Sequence, residues 1–579
     1  MNLKELRLSK GLTQKECAKY LNISLRSYQI YENDLSENKS TKYTMIFNKL
    51  QSYTSDDVTK EELHFYTNVI SNNNLLFLYE KVKTYKKRDC FQSLEKFIKE
   101  NNCGKICAIY GLRRTGKTTL IFQMLGELPI DKTAYIKVQV TDSMANLTKD
   151  LYALHNAGYK YVFIDEITLL SDFINTAAVL SDVFSMMDMK IIASGTDSLG
   201  FMMASRDELY DRCIMVHASF IPFREYYKLL NIHSIDKYIE YGGTLKMENM
   251  SFDDNDINND EVSFRDDEST RKYIDTAISR NIQNTLRNDH YGEYFNQLKE
   301  LYNNGELTNV INRIVENINH DFLLKVIEDK FKSHDFGSAK DLLLHEAPSL
   351  RAFVLNDVDK DVILQKLKEL IEIKEKEELK ANITQDIIEK VKQYLIMLEL
   401  IVNCPTRYES GSYENHYLFT QPGMRYAIAK ALVYSLLQDT YFNTISEVDK
   451  NYIINKILED VKGKMLEEIV LLETFKVIPS SLEVFKFKFN SGGEFDMIIY
   501  NKIKNTCQLY EVKHSDKIND KQTRFLLDED KCNLIENKYG KITNKYVLYR
   551  GKSKQVGDVN YENVEEFLIN IKKLFLLKS

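Results

Sequence analysis

The stretch KICAIYGLRRTGKTTLIFQML, residues 105–125, decides how this chain is read. Ile106 to Tyr110 are apolar or aromatic without a break, the pattern of a strand buried on both faces. A loop with Gly111 and Gly116 at its ends follows, and a helical pattern begins at Lys117. Glycines so placed let the backbone wrap a chain of phosphates with its N–H groups turned inward. Lys117 then brings a point charge to the β- and γ-phosphates, the Thr118 hydroxyl ligates Mg2+, and the helix N-terminus faces the anion. Arg114, Thr115 and Thr119 complete the candidate nucleotide-binding loop, and the implied ligands are ATP and Mg2+.

Two further apolar runs stand at the distances this reading requires. KYVFIDEITLL, residues 160–170, is a buried parallel-strand pattern ending in Asp165 and Glu166. An acid there holds Mg2+ through water (Asp165), and the next one polarises the attacking water (Glu166). MKIIASGTDS, residues 189–198, ends in small polar residues, of which Ser194 or Thr196 can sense the γ-phosphate.

Bulk properties bound the rest. With 579 residues the chain exceeds what one core organises, which predicts several domains. A net charge of −7 excludes a globally basic nucleic-acid coat and confines any DNA contact to a local patch. Of the eight cysteines only Cys103 and Cys107 are close, with no second pair or His cluster beside them, so they are expected as buried thiols and not as metal ligands. Neither a signal peptide nor an apolar run of membrane-spanning length is evident, so a reduced, cytoplasmic protein with no membrane partner is expected.

Residues 1–65 read as short helices separated by polar breaks. Thr13 with Glu16 forms a capping box, and Ser24 can cap a helix carrying Arg26, Ser27, Tyr28 and Gln29. That pattern alone fits either a small helical packing domain or a helix-turn-helix. The segment LKELRLSKGLTQKECAKYLNISLRSYQIYEND, residues 3–34, resembles the Cro/phage-repressor (XRE-like) helix-turn-helix family at Arg7, Gly11 to Gln14, Ala18, Tyr31 and Glu32. The resemblance implies duplex DNA as a partner, with Arg26, Ser27, Tyr28 and Gln29 toward the major groove.

The motifs GLRRTGKTT, FIDEI, IIASGTDS, DRCIMVHASFIPFREYYKLL (211–230) and YIEYGGTL (238–245) together resemble prokaryotic AAA-type (STAND-like) ATPases. Asp211 stands before Arg212 where that family usually has Gly. Arg212 is therefore a candidate γ-phosphate or inter-subunit arginine, in a possible homo-oligomer, or else a surface salt bridge.

Residues 250–270 are densely acidic. Asn259 and Arg265 occupy the places where a calcium loop starting at Asp254 needs Gly and Glu, so a solvated loop is expected instead. Charge-rich helical patterns follow. Residues around 395–433 then read as a helix, a β-wing with a Pro turn and a returning helix, which resembles the winged-helix-like segment after the core in the same ATPases.

The C-terminal part carries a second constellation. GKMLEEIVLLETF (463–475) is a helix bearing Glu467, VFKFKFNSGGEFDMIIY (484–500) a hairpin bearing Asp496, and TCQLYEVKHS (506–515) a strand bearing Glu511 and Lys513. Alternation along a strand puts Glu511 and Lys513 on one face. Asp496 and Glu511 can then hold a second divalent ion, repelling one another without it, while Lys513 acts on the attacking water. An edge strand with solvent charges would carry the same residues. The helix–hairpin–strand order, with Gly463 to Glu467, resembles the restriction-endonuclease-like PD-(D/E)XK fold with which the same ATPase family usually ends. The resemblance implies a nuclease-like domain with Glu467 as a further metal ligand.

The expected architecture is multidomain: an all-α helix-turn-helix at 1–65, an α/β P-loop ATPase core at 90–245, a helical and winged-helix-like region with an acidic insertion at 246–454, and an α/β restriction-endonuclease-like domain at 455–579. Two functions suit it: an ATP-driven DNA-processing or defence-type enzyme, or a nucleotide-gated transcriptional regulator whose C-terminal domain is catalytically inactive.

Overall fold

The run Ile106–Tyr110 forms a strand in which every residue is buried, as a strand paired on both sides inside a parallel sheet must be. The computed structural model describes residues 2–21, 23–33, 41–51, 64–197, 200–201, 204–205, 208–218, 220–245, 264–279, 286, 296–331, 362, 364–370, 383–440, 442–444 and 446–576. The chain divides into two compact units, Met1–Tyr66 and Thr67–Ser579.

The first unit holds helices Leu3–Ser9, Gln14–Leu21, Leu25–Glu32 and Thr41–Gln51. Thr13 and Glu16 bond reciprocally, with the Thr13 N–H donating to Glu16 Oε2 at 2.7 Å, and the Ser27 N–H donates to Ser24 Oγ at 3.0 Å. Both caps stand as the sequence indicates. Leu3, Leu6, Cys17, Leu21 and Tyr28 pack a small core, and a buried Arg7–Glu32 ion pair at 2.6 Å ties the first helix to the third. Tyr28 corrects the sequence reading. It is fully buried, because it lies one turn before Glu32 on the face that meets the core, and it cannot point into a groove. Arg26 is exposed, and Ser27 and Gln29 are half-buried.

The second unit is built on two sheets. The six-stranded sheet comprises β1 (Asn68–Ser71), β2 (Ile106–Tyr110), β3 (Thr133–Lys137), β4 (Tyr161–Asp165), β5 (Lys190–Gly195) and β6 (Cys213–His217), ordered β1-β3-β4-β5-β2-β6. Only β1 runs antiparallel. The order places β5 between β2 and β4, so the ends of three strands converge where the loop after β2 begins.

The eight-stranded sheet comprises β7 (Ile401–Tyr408), β8 (Tyr413–Phe419), β9 (Leu482–Lys488), β10 (Glu494–Asn501), β11 (Thr506–Val512), β12 (Lys541–Tyr549), β13 (Lys554–Val556) and β14 (Val559–Asn563), ordered β13-β14-β12-β11-β10-β9-β7-β8. A 31-residue helix, Glu447–Val477, leads into β9, and helix Glu529–Tyr539 connects β11 to its parallel neighbour β12. The hairpin β7–β8 turns at residues 409–412, where Gly411 has φ +89°, and not at a proline; Pro405 lies within β7 opposite Asn415. Through the β7–β9 pairing that hairpin extends the C-terminal sheet. Sheet and long helix both run across residue 455, where the sequence suggests a boundary. The acidic residues 246–263 and the charge-rich residues 371–382 lie outside the described residues.

The segment after β6 locks the two sheets together. Arg88 pairs with Glu225 at 2.7 Å, both buried, and also donates to the carbonyls of Thr115, Ala218 and Phe220. On the long helix, the fully buried Glu473 accepts the Phe223 N–H at 2.5 Å. Burial pushes the Glu473 carboxyl up to about 7, against the pull of Arg224. Between the ordinary value of 4.5 and 7 the folded chain therefore keeps a proton that the unfolded chain has lost, so this group's contribution to stability falls as pH rises through that window. Glu473→Gln keeps the acceptor and removes the titration. The melting temperature of the parent relative to this variant should drop by several degrees between pH 5 and pH 7.5, and a pH-independent difference would show that Glu473 is ionised throughout.

Cys107 is buried in β2 as expected, but Cys103 is exposed, because it precedes the strand instead of lying in it. Among the described residues, no helix is long and apolar enough to cross a membrane.

Candidate functional site

The loop between β2 and helix Lys117–Leu125 is held by its carbonyls. Lys117 Nζ donates to Gly111 O at 2.8 Å and to Leu112 O at 3.0 Å. Tyr273 OH reaches Arg113 O at 3.2 Å, the Leu245 N–H reaches Arg114 O at 2.7 Å, and Arg88 reaches Thr115 O at 2.7 Å. Five successive carbonyls thus have donors, which leaves the N–H edge of the loop to face an anion. Three left-handed residues make the wrap, with φ +152° at Gly111, +64° at Arg114 and +87° at Gly116. A side chain at Gly116 would also meet Leu245 at 3.4 Å. Burial lowers the Lys117 ammonium to about 8, against the pull of Glu166 and Asp165. A phosphate beside it would restore the full charge.

Asp165 ends β4 and is almost fully buried. Thr118 Oγ1 donates to Asp165 Oδ2 at 3.2 Å, joining the two groups that the sequence assigns to one Mg2+. Tyr135 and Lys137 on β3 donate to the same oxygen at 2.9 and 2.8 Å, and Ser194 bonds the other oxygen. Burial alone would raise this carboxyl, but the Lys137 charge and these hydrogen bonds hold it below the usual range. Glu166 follows in a left-handed conformation, φ +61°, its carboxylate accepting from the Thr196 N–H at 3.2 Å and Thr196 Oγ1 at 3.1 Å. Thr119 lines a narrow slot beside the loop, with Tyr85, Leu120, Leu229 and Leu245.

Arg212 is not brought to this cluster. Its carbonyl accepts the Ile106 N–H at the start of β2, the opposite edge of the sheet from Gly111, and its guanidinium pairs with Asp182 at 3.2 Å, both half-exposed. Tyr135 and Lys137 were missed in the sequence. Their i, i+2 spacing on a strand before the acid-bearing one was the available signal, and the register Lys137↔Asp165 sets them beside it.

The second constellation assembles at the facing ends of β10 and β11. Met497 pairs with Tyr510, so one step along the antiparallel ladder Asp496 stands opposite Glu511. Asp496 Oδ2 accepts from the Val512 N–H at 2.8 Å and from Lys513 at 3.3 Å, and Lys513 reaches Glu511 Oε2 at 2.8 Å. Glu467, Glu494 and Asp496 each offer an oxygen, all within 4.8 Å of one another, a span that one divalent cation can bridge. The candidate ligand trio therefore contains Glu494, which the sequence reading overlooked, in place of Glu511. Glu511 stays beside it, its Oε1 buried without a hydrogen-bond partner, and burial with help from Asp496 and Glu467 pushes its carboxyl up to about 8. Glu494 was legible by the alternation that paired Glu511 with Lys513, since it lies two residues before Asp496 on β10.

Lysines balance these acids. Lys464, one helical turn before Glu467, bonds Glu467 at 2.5 Å and Glu494 at 3.1 Å, and Lys486 on β9 bonds Glu494 and lies 3.8 Å from Asp496. Burial opposes ionisation of Asp496, and the Lys513 and Lys486 charges nevertheless hold its carboxyl below the usual range. A groove of about 380 Å3 opens on the cluster past Gly463, Glu467, Lys513 and His514.

Residues 104–227, which contain the whole first cluster, match the family model of an AAA domain. The match supports a P-loop AAA-type ATPase core that binds and hydrolyses a nucleotide. A search of curated proteins finds no match. Among solved structures, a match is found to one titled "S. cerevisiae Hsp104-ADP complex", with 14% identity over 68% of this chain and a TM-score of 0.23. The chain spans 50% of the length of that protein.

Proposed function

We propose that this protein is a Mg2+-dependent ATPase that works on DNA, with a helix-turn-helix in residues 1–65 and a metal-dependent, PD-(D/E)XK nuclease-like site on the C-terminal sheet. The observation that carries the ATPase reading is the 3.2 Å bond from Thr118 to Asp165, which joins the phosphate loop to the acid of β4. Bound Mg–ATP supplies an electrophilic phosphorus and a metal-polarised phosphate. Thr118 and Asp165 fit the metal, and Lys117 and the loop N–H groups bind the phosphates. Glu166 orients and deprotonates the attacking water, held to that task by Thr196.

In the first unit, exposed Arg26 and half-buried Ser27 and Gln29 form the DNA-reading face, while Tyr28 holds the helix to its core. Arg26→Ala in the full chain should weaken binding to a preferred duplex by about tenfold, a loss of ~1–3 kcal/mol for a good base contact. Non-specific binding should change far less and fall steeply as salt rises. Gel shifts over a range of salt would check this, and an equal loss on all duplexes would make Arg26 a phosphate contact only.

On the C-terminal sheet, Glu467, Glu494 and Asp496 fit a divalent ion, and Lys513 beside Glu511 acts on the water that attacks the phosphodiester. A second reading has its own support: three lysines stand against four carboxylates, as in a salt-bridged scaffold, which suits a nucleotide-gated regulator in a prokaryotic cytoplasm. Incubating the full chain with supercoiled plasmid, ATP and Mn2+ separates the two. Nicking that is lost in Lys513→Ala supports the enzyme, and ATP turnover without nicking supports the regulator.

A further inference from the structure

The phosphate loop is braced by groups far from it in sequence. Tyr273, on helix Asp267–Ile274, donates its hydroxyl to Arg113 O at 3.2 Å and accepts from Gln421 Nε2 at 2.8 Å. The Leu245 N–H donates to Arg114 O at 2.7 Å. Tyr273 and Gln421 are buried, and Leu112 of the loop lies in the same core as Tyr273, Ile401, Phe419 and Met424. Burial pushes the Tyr273 hydroxyl up, so it stays protonated and able to donate.

The motif YIEYGGTL acquires a role here. The Gly423 N–H donates to Gly242 O at 3.0 Å. A Cβ on Gly243, where φ is +110°, would come within 2.6 Å of Gln421 Cα. The chain before Leu245 therefore lies backbone to backbone against the start of helix Pro422–Ser435.

A peptide unit is planar, so whatever holds the carbonyl of one residue aims the N–H of the next. Tyr273 on Arg113 O aims the Arg114 N–H, and Leu245 on Arg114 O aims the Thr115 N–H. Arg114 has φ +64°, a conformation that a non-glycine residue keeps only when its surroundings impose it. Turning the 113–114 peptide over would carry Arg114 to an ordinary negative φ and point a carbonyl oxygen at the phosphates. We propose that Tyr273 is a positioning residue for nucleotide binding, its hydroxyl holding the 113–114 peptide with the Arg114 N–H toward the phosphates. Nucleotide that favours this peptide orientation also strengthens the tie through Gln421 to helix Pro422–Ser435, by the factor with which that tie strengthens nucleotide binding. The inference rests on residues 111–118 being the ATP-binding loop.

Equilibrium dialysis of labelled ADP with Mg2+ against the full chain, well below its melting transition, tests this. The parent should bind ADP, and Lys117→Ala should bind it at least tenfold more weakly. A parent without ADP binding, or a Lys117→Ala chain that binds like the parent, overturns the loop and this inference with it. Tyr273→Phe should weaken ADP about tenfold, the worth of one hydrogen bond. Tyr273→Phe with Gln421→Met removes the buried amide that the single change leaves unpaired, and it should show the same loss with a melting temperature nearer the parent's. Arg114→Gly removes the strain, so in that background Tyr273→Phe should weaken ADP by less than about threefold. Unchanged affinity in Tyr273→Phe and in the double variant, or a full tenfold loss in the Arg114→Gly background, overturns the positioning role and leaves the loop standing. By hydrogen exchange, saturating ADP should slow the Gly423 amide in the parent and not in Tyr273→Phe. A Gly423 amide indifferent to ADP overturns the tie to helix Pro422–Ser435.

Discussion

Glu166→Gln lowers ATP turnover by about two to four orders of magnitude, the usual worth of a positioned general base, and leaves ATP affinity within a few-fold of the parent. The carboxylate sits one residue past the acid of β4 and is held by two donors of Thr196 at 3.1 and 3.2 Å. Glutamine keeps an oxygen for both donors and keeps the size, so binding and fold survive. It cannot accept the proton of an attacking water, so the chemical step stops. Thr196→Ala should slow turnover by a smaller factor, since it removes a constraint on the base and not the base itself. Steady-state phosphate release with an independent ATP-binding titration checks both, and undiminished turnover in Glu166→Gln would assign the base elsewhere.

If the proposed ion binds, Asp496→Ala should remove the stabilisation that Mn2+ or Mg2+ gives the full chain. Binding to the folded state alone adds about 2.7 kcal/mol at a hundredfold excess over Kd, enough to move a melting transition by degrees. Without metal the variant should be less stable than its parent. From the sequence, Asp496 and Glu511 repel, and deleting one should have stabilised the metal-free protein. The structure reverses the sign, because Lys513 and Lys486 already neutralise Asp496 and the Val512 N–H donates to it at 2.8 Å. Its loss strands a buried N–H and unbalances two lysines. Lys513→Ala should leave most of the metal stabilisation. Melts with metal and with chelator check these signs, and a parent indifferent to metal would favour the salt-bridged scaffold.

The sequence made the phosphate loop legible because its parts are contiguous: strand, glycine-bounded loop and helix all fall within residues 105–125. Asp165 and Glu166 followed because an apolar parallel strand must end somewhere, and chemistry collects at those ends. Lys137 and Tyr135 were hidden because only the register of β3 against β4 sets them beside Asp165. Arg212 shows the converse. Nothing local revealed that β6 starts at the far edge of the sheet, and the residue serves a half-exposed pair with Asp182. Tyr28 was misassigned because short helices carry too few apolar residues to fix which face is inside. In the C-terminal sheet the residue types were visible, but which carboxylates meet depended on register, and that brought in Glu494. The joining of the β7–β8 hairpin to β9 is a pairing across some eighty residues that no local pattern announces.

Phosphate release from Mg–ATP by the purified full chain, beside Lys117→Ala under identical conditions, tests the central claim most directly. Lys117 is the buried ammonium that spans the loop carbonyls of Gly111 and Leu112. The parent should hydrolyse ATP in a Mg2+-dependent manner, and the variant should lose ATP affinity by an order of magnitude or more and turnover with it. A Lys117→Ala protein that hydrolyses ATP at the parental rate would contradict the assignment of residues 111–118 as the ATP-binding loop.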